Sequence, residues 1–356
     1  MCFMDHSEPR PEEMRAELSR WLGRSVTGVE RIGGGNNSRV YKVTADGEEH
    51  FALKAYFRHP GDNRDRLATE YNSLAYLWAN GFREIPRPLR TEPGLGWALY
   101  QFVAGDKLHP GQAGDAEVLL AAEFLGRLRD LSRQADSRKL GTASEAFFTL
   151  DLVVDNVRGR LSRLEAAPED SDPGKALQTF LAEEFKPFLE QAIRWSESRL
   201  KAAGHSFGKE LSREERMLSP SDFGFHNALR QRDGRIIFLD FEYFGWDDPA
   251  KMIADFLLHP AMVLPPGAKK TFSSALFRRF SDWPDLRGRV EGVYPIFGLK
   301  WCMIILNEFL PDQLLRRRFA ATAATDRSVL RLQQLDKARR MLARIRAEYE
   351  CFPYHD

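Results

Sequence analysis

Three polar residues, Asp222, Asn227 and Asp240, lie within one short stretch of the chain, and their types suit metal-dependent transfer of a phosphoryl group. The dipeptide Asp233-Gly234 lies between Asn227 and Asp240. Asp-Gly is a preferred dipeptide of two-residue type I′ hairpins. We therefore predict a hairpin in which Asn227 lies opposite Asp240, so that an amide oxygen and a carboxylate meet, as a magnesium site requires.

Asp222 precedes this hairpin in a predicted loop and is free to face an incoming hydroxyl group. A carboxylate in that place would orient the hydroxyl and accept its proton during in-line phosphoryl transfer. The alternative is a local role, because acidic residues often cap turns, here through the backbone of Gly224 or Phe225. The combination of Asp222 with Asn227 and Asp240 favours the catalytic interpretation.

A lysine and a glutamate nearer the N-terminus each require a partner. Lys54 lies mid-strand on the face opposite Leu53, and Glu70 falls on the apolar side of the next predicted helix. A carboxylate on that side must find a cation, because an unpaired buried charge is costly. A paired lysine in a cleft can bind the α- and β-phosphates of ATP, although a structural ion pair explains the same spacing.

A glycine-rich segment, Gly-Gly-Gly-Asn-Asn-Ser at 33–38, joins two predicted strands. Glycines let the backbone approach a phosphate and point N–H groups at it, and a serine adds a hydroxyl donor. We expect nucleotide contacts from Gly34, Gly35, Asn37 and Ser38, and a hairpin loop without a ligand is the alternative. The segment is neither a Walker loop, since no Gly-Lys-Ser/Thr follows, nor a Rossmann turn, since a strand follows it.

The elements that must position these residues form a β-rich part followed by a mostly helical part. We predict a helix over 11–22, strands between 26 and 57, a helix over 63–79 and a strand over 97–103. After Gly105 we predict helices, including a buried one over 294–310, and a single hairpin. The fold class is therefore α+β, with a small β-rich N-lobe at 11–103 and a larger helical C-lobe at 104–356.

The composition restricts the possible partners. The 356 residues contain 52 Lys plus Arg and 51 Asp plus Glu, so net charge does not indicate nucleic-acid binding. We find no apolar stretch that suits a membrane span and no signal segment. Cys2, Cys302 and Cys351 match neither a disulfide framework nor a metal spacing. We expect a cytoplasmic protein without nucleic-acid or membrane partners, and nothing indicates its oligomeric state.

The motifs together resemble those of the aminoglycoside phosphotransferase and choline kinase family over about residues 26–260. Gly-Gly-x-Asn-Asn-Ser, the strand lysine, the helix glutamate, Asp-x4-Asn and Asp-x-Glu follow in the family order. The resemblance implies a two-lobed protein-kinase-like fold with ATP between the lobes and with adenine contacts from 101–103, including Gln101 and Val103. The implied reaction transfers the γ-phosphate to a hydroxyl of a small molecule such as a sugar, an amino alcohol or an aminoglycoside.

The same resemblance implies roles for individual residues. Asp222 is the implied catalytic base, Asn227 and Asp240 are the implied Mg²⁺ ligands, and Glu242 matches a further acidic residue at the metal. After Asp240, a protein kinase would have a glycine two positions later and a long activation loop. This chain has Glu242 there, and Asp248-Pro249 follows without room for such a loop, so a peptide substrate is not expected.

The loop before Asp222 departs from the family. Relatives usually have His-Gly directly before the catalytic aspartate, whereas this chain has Pro220-Ser221. That histidine is expected to brace the loop, so a pseudokinase-like module that binds ATP with weak or no transfer is the alternative function. We expect His226 to face solvent or the core rather than the γ-phosphate.

The acceptor pocket is less defined by the sequence. The helix over 294–310 carries Phe297, Trp301 and Glu308 on one side, and with Trp246 they would form an aromatic pocket for a quaternary amine. A packed core helix is the alternative that we favour. Over 269–318 ten basic residues outnumber five acidic ones, which argues against a polycationic acceptor and for a sugar or an anionic hydroxyl compound.

Overall fold

A computed structural model of the chain describes residues 11–35, 37–58, 64–167, 171–310 and 327–354. Cys2, Asn36 and the arginines at 316–318 lie outside the described residues. The N-lobe is an antiparallel sheet of five strands, in the order β1-β2-β3-β5-β4, with two helices. Its elements are α1 (Pro11–Leu22), β1 (Val26–Gly35), β2 (Ser38–Ala45), β3 (His50–Tyr56), α2 (Arg66–Ala79), β4 (Pro88–Glu92) and β5 (Trp97–Gln101).

Alternation along β3 assigns the two faces of this sheet. Leu53 is buried in a cluster with Met14 and Leu18 of α1, a helix with a proline at its first position. Lys54 points to the opposite face and contacts α2. The prediction of a helix over 11–22 is confirmed at both ends. Helix α2 begins at Arg66, and residue 63 of the prediction lies outside the described residues.

The C-lobe is mainly helical, and its central helix packs against three others. Its helices are α3 (Asp115–Ser132), α4 (Leu150–Glu165), α5 (Asp172–Thr179), α6 (Lys186–Ala202), α7 (Pro249–Leu258), α8 (Pro266–Arg279), α9 (Leu286–Ile305) and α10 (Arg327–Glu348). Helix α9 packs against α6, α7 and α10. The predicted buried helix is thus confirmed, but it starts at residue 286 and gives way to a 3₁₀ turn at Leu306–Phe309. Among the described helices none is long and apolar enough to cross a membrane.

The C-lobe also contains more strands than the single predicted hairpin. They are β6 (Asp106–Lys107), β7 (Met217–Ser219), β8 (Ala228–Arg230), β9 (Ile236–Phe238) and β10 (Gly245–Asp247). β6 joins the β8–β9 hairpin, and β10 pairs with β7. A Cβ atom on Gly245 would lie 2.4 Å from the backbone nitrogen of Ala143, so this crossing requires glycine. β8 and β9 form the predicted hairpin, whereas β6, β7 and β10 were missed because strands of two or three residues are too short to show a period of two.

The register of the β8–β9 hairpin differs from the prediction by one residue. Ala228 pairs with Phe238, and the N–H of Gln231 donates to the carbonyl of Arg235 at 2.8 Å, so the loop has three residues. A type I′ turn needs positive φ at both central positions, whereas here Gly234 has φ 86° and Asp233 is not in the positive-φ region.

The placement of the two predicted metal ligands follows from this register. Asn227 accepts a hydrogen bond from the N–H of Leu239 at 2.8 Å, so the predicted pairing of Asn227 with Asp240 is wrong. Asp240 lies one residue beyond that pair, in a left-handed conformation with φ 65°.

The sheet-containing N-lobe and the helical C-lobe confirm the predicted α+β class. The N-lobe sheet ends at Gln101, two residues before the predicted division between 103 and 104. That division into 11–103 and 104–356 stays a prediction.

Candidate active site

A cavity of about 390 Å³ lies between the two lobes, and most of the predicted site residues line it. These residues are Gly34, Gly35, Ser38, Lys54, Glu70, Gln101, Val103, Asn227 and Asp240. Asn37, Asp222 and Glu242 are not among its lining residues. Apolar side chains from both lobes, including Val40, Ala52 and Leu239, complete the wall. Apolar walls with a few convergent polar groups are typical of a ligand site.

The glycine-rich turn forms one edge of this cavity. Gly34 has φ 144°, and a Cβ there would lie 2.5 Å from the carbonyl oxygen of Ser38, so the turn requires glycine at this position. Gly33 and Gly35 would each carry a Cβ into open space. The turn is therefore shaped by Gly34, and its neighbours leave room beside the backbone.

Asn37 connects the same turn to the C-lobe. Its Nδ2 donates to Oε1 of Glu242 at 2.6 Å and to the hydroxyl of Tyr243 at 2.8 Å. The side chain thus holds the turn against the segment after β9 rather than lining the cavity. A direct contact between Asn37 and a nucleotide stays a prediction.

Lys54 binds carboxylates from both lobes. Its Nζ lies 2.6 Å from Oε2 of Glu70 and 2.6 Å from Oδ1 of Asp240, and Glu242 is at 3.7 Å. Burial alone would lower the pKa of Lys54, but Asp240, Glu70 and Glu242 raise it well above its usual value. The lysine is therefore charged. The predicted Lys54–Glu70 ion pair is confirmed, and Asp240 extends it across the cleft.

Glu70 lies inside the protein rather than at the edge of its helix. It is 4% exposed, and burial raises its pKa. The Tyr56 hydroxyl donates to Oε2 at 2.8 Å, and the Phe241 N–H donates to Oε1 at 3.3 Å. Both carboxylate oxygens are thus satisfied, and Glu70 connects the N-lobe to the backbone beside Asp240.

Glu242 and its neighbours fit a divalent cation. The carboxylate oxygens of Glu70, Asp240 and Glu242 lie within 4.8 Å of one another. Burial and then the negative charge of Asp240 raise the pKa of Glu242 to about 7. Its Oε2 is buried without a hydrogen-bond partner. Lys54, 3.7 Å from Oε2, and Arg66, 3.5 Å from Oε1, balance part of the charge. Crowded carboxylates that keep an oxygen without a hydrogen bond are stabilised further by a hard cation such as Mg²⁺, which prefers oxygen ligands.

Asn227 lines the cavity together with Asp240. Its Nδ2 donates to the carbonyl of Asp222 at 3.2 Å and lies 3.4 Å from Asp222 Oδ2. This orientation leaves the amide oxygen of Asn227 as the atom available to a cation. The residue therefore links the predicted metal site to the predicted catalytic aspartate.

Two stacked histidines hold the carboxylate of Asp222. Nε2 of His226 lies 3.0 Å from Oδ1 of Asp222, and Nε2 of His259 lies 3.5 Å from the same atom. The two rings are 3.8 Å apart and nearly parallel, at 7°. Trp301 packs edge-on against His259 at 4.6 Å and donates to Asp255 at 2.8 Å.

The charge state of this group follows from its surroundings. Burial opposes ionisation of Asp222, but the hydrogen bond and charge of His226, with His259 and Asn227, lower its pKa to about 2. Burial lowers the pKa of His259 to about 3, so this histidine is neutral at physiological pH. Asp222 is a carboxylate oriented by imidazole groups. The expectation that His226 faces solvent or the core is wrong, because its ring binds Asp222.

The loop before Asp222 is held at two further points. Ser221 has φ 66°, and its hydroxyl accepts a hydrogen bond from Lys251 at 3.1 Å. Lys251 is itself held by Asp247 at 2.7 Å. On the other side of Asp222, the Phe223 ring lies 4.6 Å from Phe238 in the core. The chain thus anchors the loop without the usual His-Gly.

The aromatic pocket suggested for a quaternary amine does not form as a unit. Phe297 is 1% exposed in the core, which confirms the packed-helix alternative for that residue. Trp246 lies in β10, where its ring N–H donates to the carbonyl of Ser137 and Arg213 covers its face. Of the suggested aromatic set, Trp301 is the member that approaches Asp222, through His259.

A basic group lies near this side of the site. Glu145 contacts Lys300 at 3.3 Å, Arg160 at 3.4 Å and Arg64 at 3.8 Å. Arg64 also lies over the ring of Tyr243, the residue after Glu242. Three cations thus share this one carboxylate.

Sequence reasoning missed His259, Lys251 and Glu145 because each reaches the site through a residue that is distant in sequence, although Lys251 also pairs with Asp247 four positions away. The one local signal was His226, four positions after Asp222 within a 3₁₀ turn.

Comparisons with known proteins agree with this geometry. A sequence profile described as the phosphotransferase enzyme family matches residues 28–289. A comparison with curated protein sequences finds no match. The AMP-bound spectinomycin phosphotransferase structure has 12% identity and a TM-score of 0.62, with 91% of this chain and 99% of that chain covered.

Two further structures have similar values. Choline kinase from Cryptosporidium parvum Iowa II has 14% identity and a TM-score of 0.56, covering 92% of this chain and 93% of that one. A choline/ethanolamine kinase family protein from Mesorhizobium loti has 19% identity and a TM-score of 0.52, covering 95% and 99%. These similarities confirm the predicted kinase-like fold. Because the profile matches well over half of the sequence, the chain belongs to the phosphotransferase enzyme family.

Proposed function

We propose that this protein transfers the γ-phosphate of ATP to a hydroxyl group of a small molecule. The observation that carries the proposal is the placement of Lys54 between Glu70 and Asp240 on the wall of the cleft cavity. A lysine fixed in this way is preorganised to bind phosphate oxygens. Solved spectinomycin phosphotransferase structures contain ADP or AMP, which supports a nucleotide as the ligand of the cleft.

The lining of the cavity suits each part of ATP. The adenine would lie between the apolar walls near Gln101 and Val103. The phosphates would extend toward Gly34, Gly35 and Ser38, whose backbone and hydroxyl groups are donors, and toward Lys54. Glu70 keeps Lys54 in place, so its contribution is to position the lysine.

Asp240, Asn227 and Glu242 would hold Mg²⁺, which supplies positive charge to the phosphate oxygens when bound. Asn37 stabilises Glu242 through its 2.6 Å hydrogen bond. The three side chains offer carboxylate and amide oxygens, as a magnesium ion prefers.

Asp222 would orient the acceptor hydroxyl. With a pKa of about 2 it is a weak base. Its main contribution is therefore to hold the hydroxyl in line and to take its proton late, which suits a loose transition state with little early proton transfer. His226 and His259 fix the direction in which Asp222 points.

The basic surroundings of Glu145 bear on the acceptor. Lys300 is 3% exposed and, with Arg160 and Arg64, neutralises Glu145. Asp255 offsets part of this positive charge at Lys300, and the remainder disfavours a polycationic aminoglycoside. A sugar or an anionic hydroxyl compound fits better than an amino alcohol or an aminoglycoside.

Nucleotide binding is tested by thermal unfolding with and without ATP and Mg²⁺. The parent is expected to melt at a higher temperature with both, because a ligand that binds only the native state stabilises it. Asp240→Asn should lose this shift, and Asp233→Asn, an exposed aspartate in the neighbouring hairpin turn, should keep it. Absence of a magnesium-dependent shift in the parent would overturn the proposal.

Transfer itself is tested with radiolabelled ATP and a panel of sugars, hydroxy acids, amino alcohols and aminoglycosides. Turnover that disappears in Asp222→Asn while the ATP-dependent thermal shift remains supports the kinase. A parent that binds ATP but transfers phosphate to no panel member would instead favour the pseudokinase-like module.

A further inference from the structure

A second cavity, of about 420 Å³, lies in the C-lobe and shares no lining residue with the cleft. It lies between the end of α3, the turn at 213–216, β10 and the loop at 282–284. Its lining includes five arginines, which are Arg129, Arg133, Arg138, Arg213 and Arg216. We call it the arginine cavity. Its volume is within the range of small-molecule sites.

Among the lining residues five arginines face three acidic residues, and a further carboxylate, Glu210, pairs with Arg216 at 2.5 Å. Its acidic residues are Glu214, Glu215 and Asp282. Asp282 is held by Arg129 at 3.2 Å and by Arg133. In the part of the chain that the structure describes, Arg138 and Arg213 form no salt bridge, and Glu214 is the lining carboxylate with which both interact electrostatically.

The walls hold three of these arginines in defined places. Arg129 is 5% exposed, and Arg213 lies over the ring of Trp246 at 4.7 Å. Arg216 is fixed by the carbonyl of Leu211, at 2.9 Å from its Nε. A guanidinium held against a ring loses little conformational freedom on binding, and its planar fork matches the oxygens of a phosphate.

The floor of the arginine cavity is continuous with the catalytic loop. The hydroxyl of Ser132, a lining residue, accepts a hydrogen bond from the N–H of Leu218 at 2.8 Å. Trp246, also a lining residue, pairs with Leu218 in the β7–β10 sheet. Strand β7 leads directly into Pro220, Ser221 and Asp222. A ligand in the cavity would thus contact the elements that hold the start of this loop.

We propose that the arginine cavity binds a small phosphomonoester and that its occupancy stabilises β7 and the Asp222 loop. Arg138 and Arg213, which form no salt bridge among the described residues, offer two guanidinium groups to a phosphomonoester, which carries nearly two negative charges at neutral pH. The site is separate from the proposed nucleotide site. It is a candidate regulatory site, and the proposal holds whichever hydroxyl compound accepts the phosphate in the cleft.

The probe is β-glycerophosphate, titrated calorimetrically into the full chain at low ionic strength. Arg138→Ala/Arg213→Ala removes the two lining arginines that form no salt bridge among the described residues. Its matched control is Arg163→Ala/Arg232→Ala, which removes two exposed arginines that line neither cavity. We expect the parent and the control to bind alike and the first variant to bind roughly a hundredfold more weakly, about tenfold for each charge-assisted contact.

Hydrogen exchange of the parent locates the bound probe. We expect slower exchange over 129–138 and 213–222. Absence of binding to the parent, or equal binding by Arg138→Ala/Arg213→Ala, overturns the proposed site. Protection confined to 33–54 assigns the probe to the cleft and also overturns it. Binding without slower exchange at 217–222 refutes the effect on the Asp222 loop.

Discussion

Removal of the His226 imidazole is expected to slow phosphate transfer about tenfold. The difference between the ordinary pKa of Asp222, 3.8, and its pKa of about 2 corresponds to about 2.4 kcal/mol. The Asp222 side chain is 35% exposed, so solvent screening reduces this to about 1–1.5 kcal/mol. After the opposing effect of burial, His226 is the largest cause of the lowered pKa. Loss of the contact also raises the pKa of Asp222, so the tenfold loss in rate follows only from the part that orients the carboxylate: about 1.4 kcal/mol of lost orientation corresponds to tenfold.

The assay compares kcat and the ATP-dependent thermal shift for His226→Ala, His259→Ala and the double variant, with an acceptor found in the panel. The histidines should act on kcat, and His259→Ala, which lies outside the cleft cavity, should leave ATP binding unchanged. His205→Ala is the control for a histidine far from Asp222. It contacts the loop at Asp285 instead.

A second experiment tests whether a histidine placed before Asp222 can replace His226. Pro220→His/Ser221→Gly introduces the His-Gly of the family before Asp222. If the two stacked histidines replace the missing brace, this change should restore part of the kcat that His226→Ala loses. A His226→Ala variant whose kcat stays within about twofold of the parent would refute the bracing role, since about 0.4 kcal/mol is too small for the contact described.

Three other predictions concern the same region. Lys54→Met leaves the carboxylates of Glu70 and Asp240 without their shared cation, so it should lower the free energy of unfolding by about 3 kcal/mol and abolish the ATP-dependent thermal shift. Ser221→Ala keeps the left-handed backbone and loses the Lys251 hydrogen bond, whereas Ser221→Gly relieves the backbone, so in urea unfolding the glycine variant should be about 1 kcal/mol more stable than the alanine variant. The lowered pKa of Asp222 contributes stability that is present above pH 3.8 and lost as the pH falls through about 2. Asp222→Asn should therefore destabilise the protein by about 1 kcal/mol at pH 7, after the discount for exposure, and by less below pH 4, as urea unfolding at several pH values would show.

Local periodicity predicted the parts of the site that depend on one element. The face of Lys54 follows from alternation along a strand, and the inward side of Glu70 follows from helical spacing, so their ion pair could be predicted. The hairpin register could not, because Asp-Gly is compatible with both a two-residue and a three-residue loop. The one additional residue in the loop places Asn227 opposite Leu239 rather than Asp240.

Tertiary contacts supplied what the local pattern lacked. His259 reaches Asp222 because α7 packs beside the catalytic loop, and Lys251 reaches Ser221 from the same helix. For Asn37 the motif predicted a nucleotide contact, but a tertiary contact directs its amide to Glu242. Side-chain direction at these positions is set by neighbours that are far away in sequence.

The 2.6 Å contact between Lys54 and Asp240 has a consequence for the order of ligand binding. The ammonium group of Lys54 is a counter-ion of Asp240, so a free divalent cation would compete with it for this carboxylate. With a magnesium nucleotide bound, Lys54 would turn from Asp240 to the phosphate oxygens. The exchange then conserves the number of opposite-charge contacts. Metal and nucleotide are therefore expected to enter the cleft as one complex, with Lys54 transferring from protein to ligand as they do.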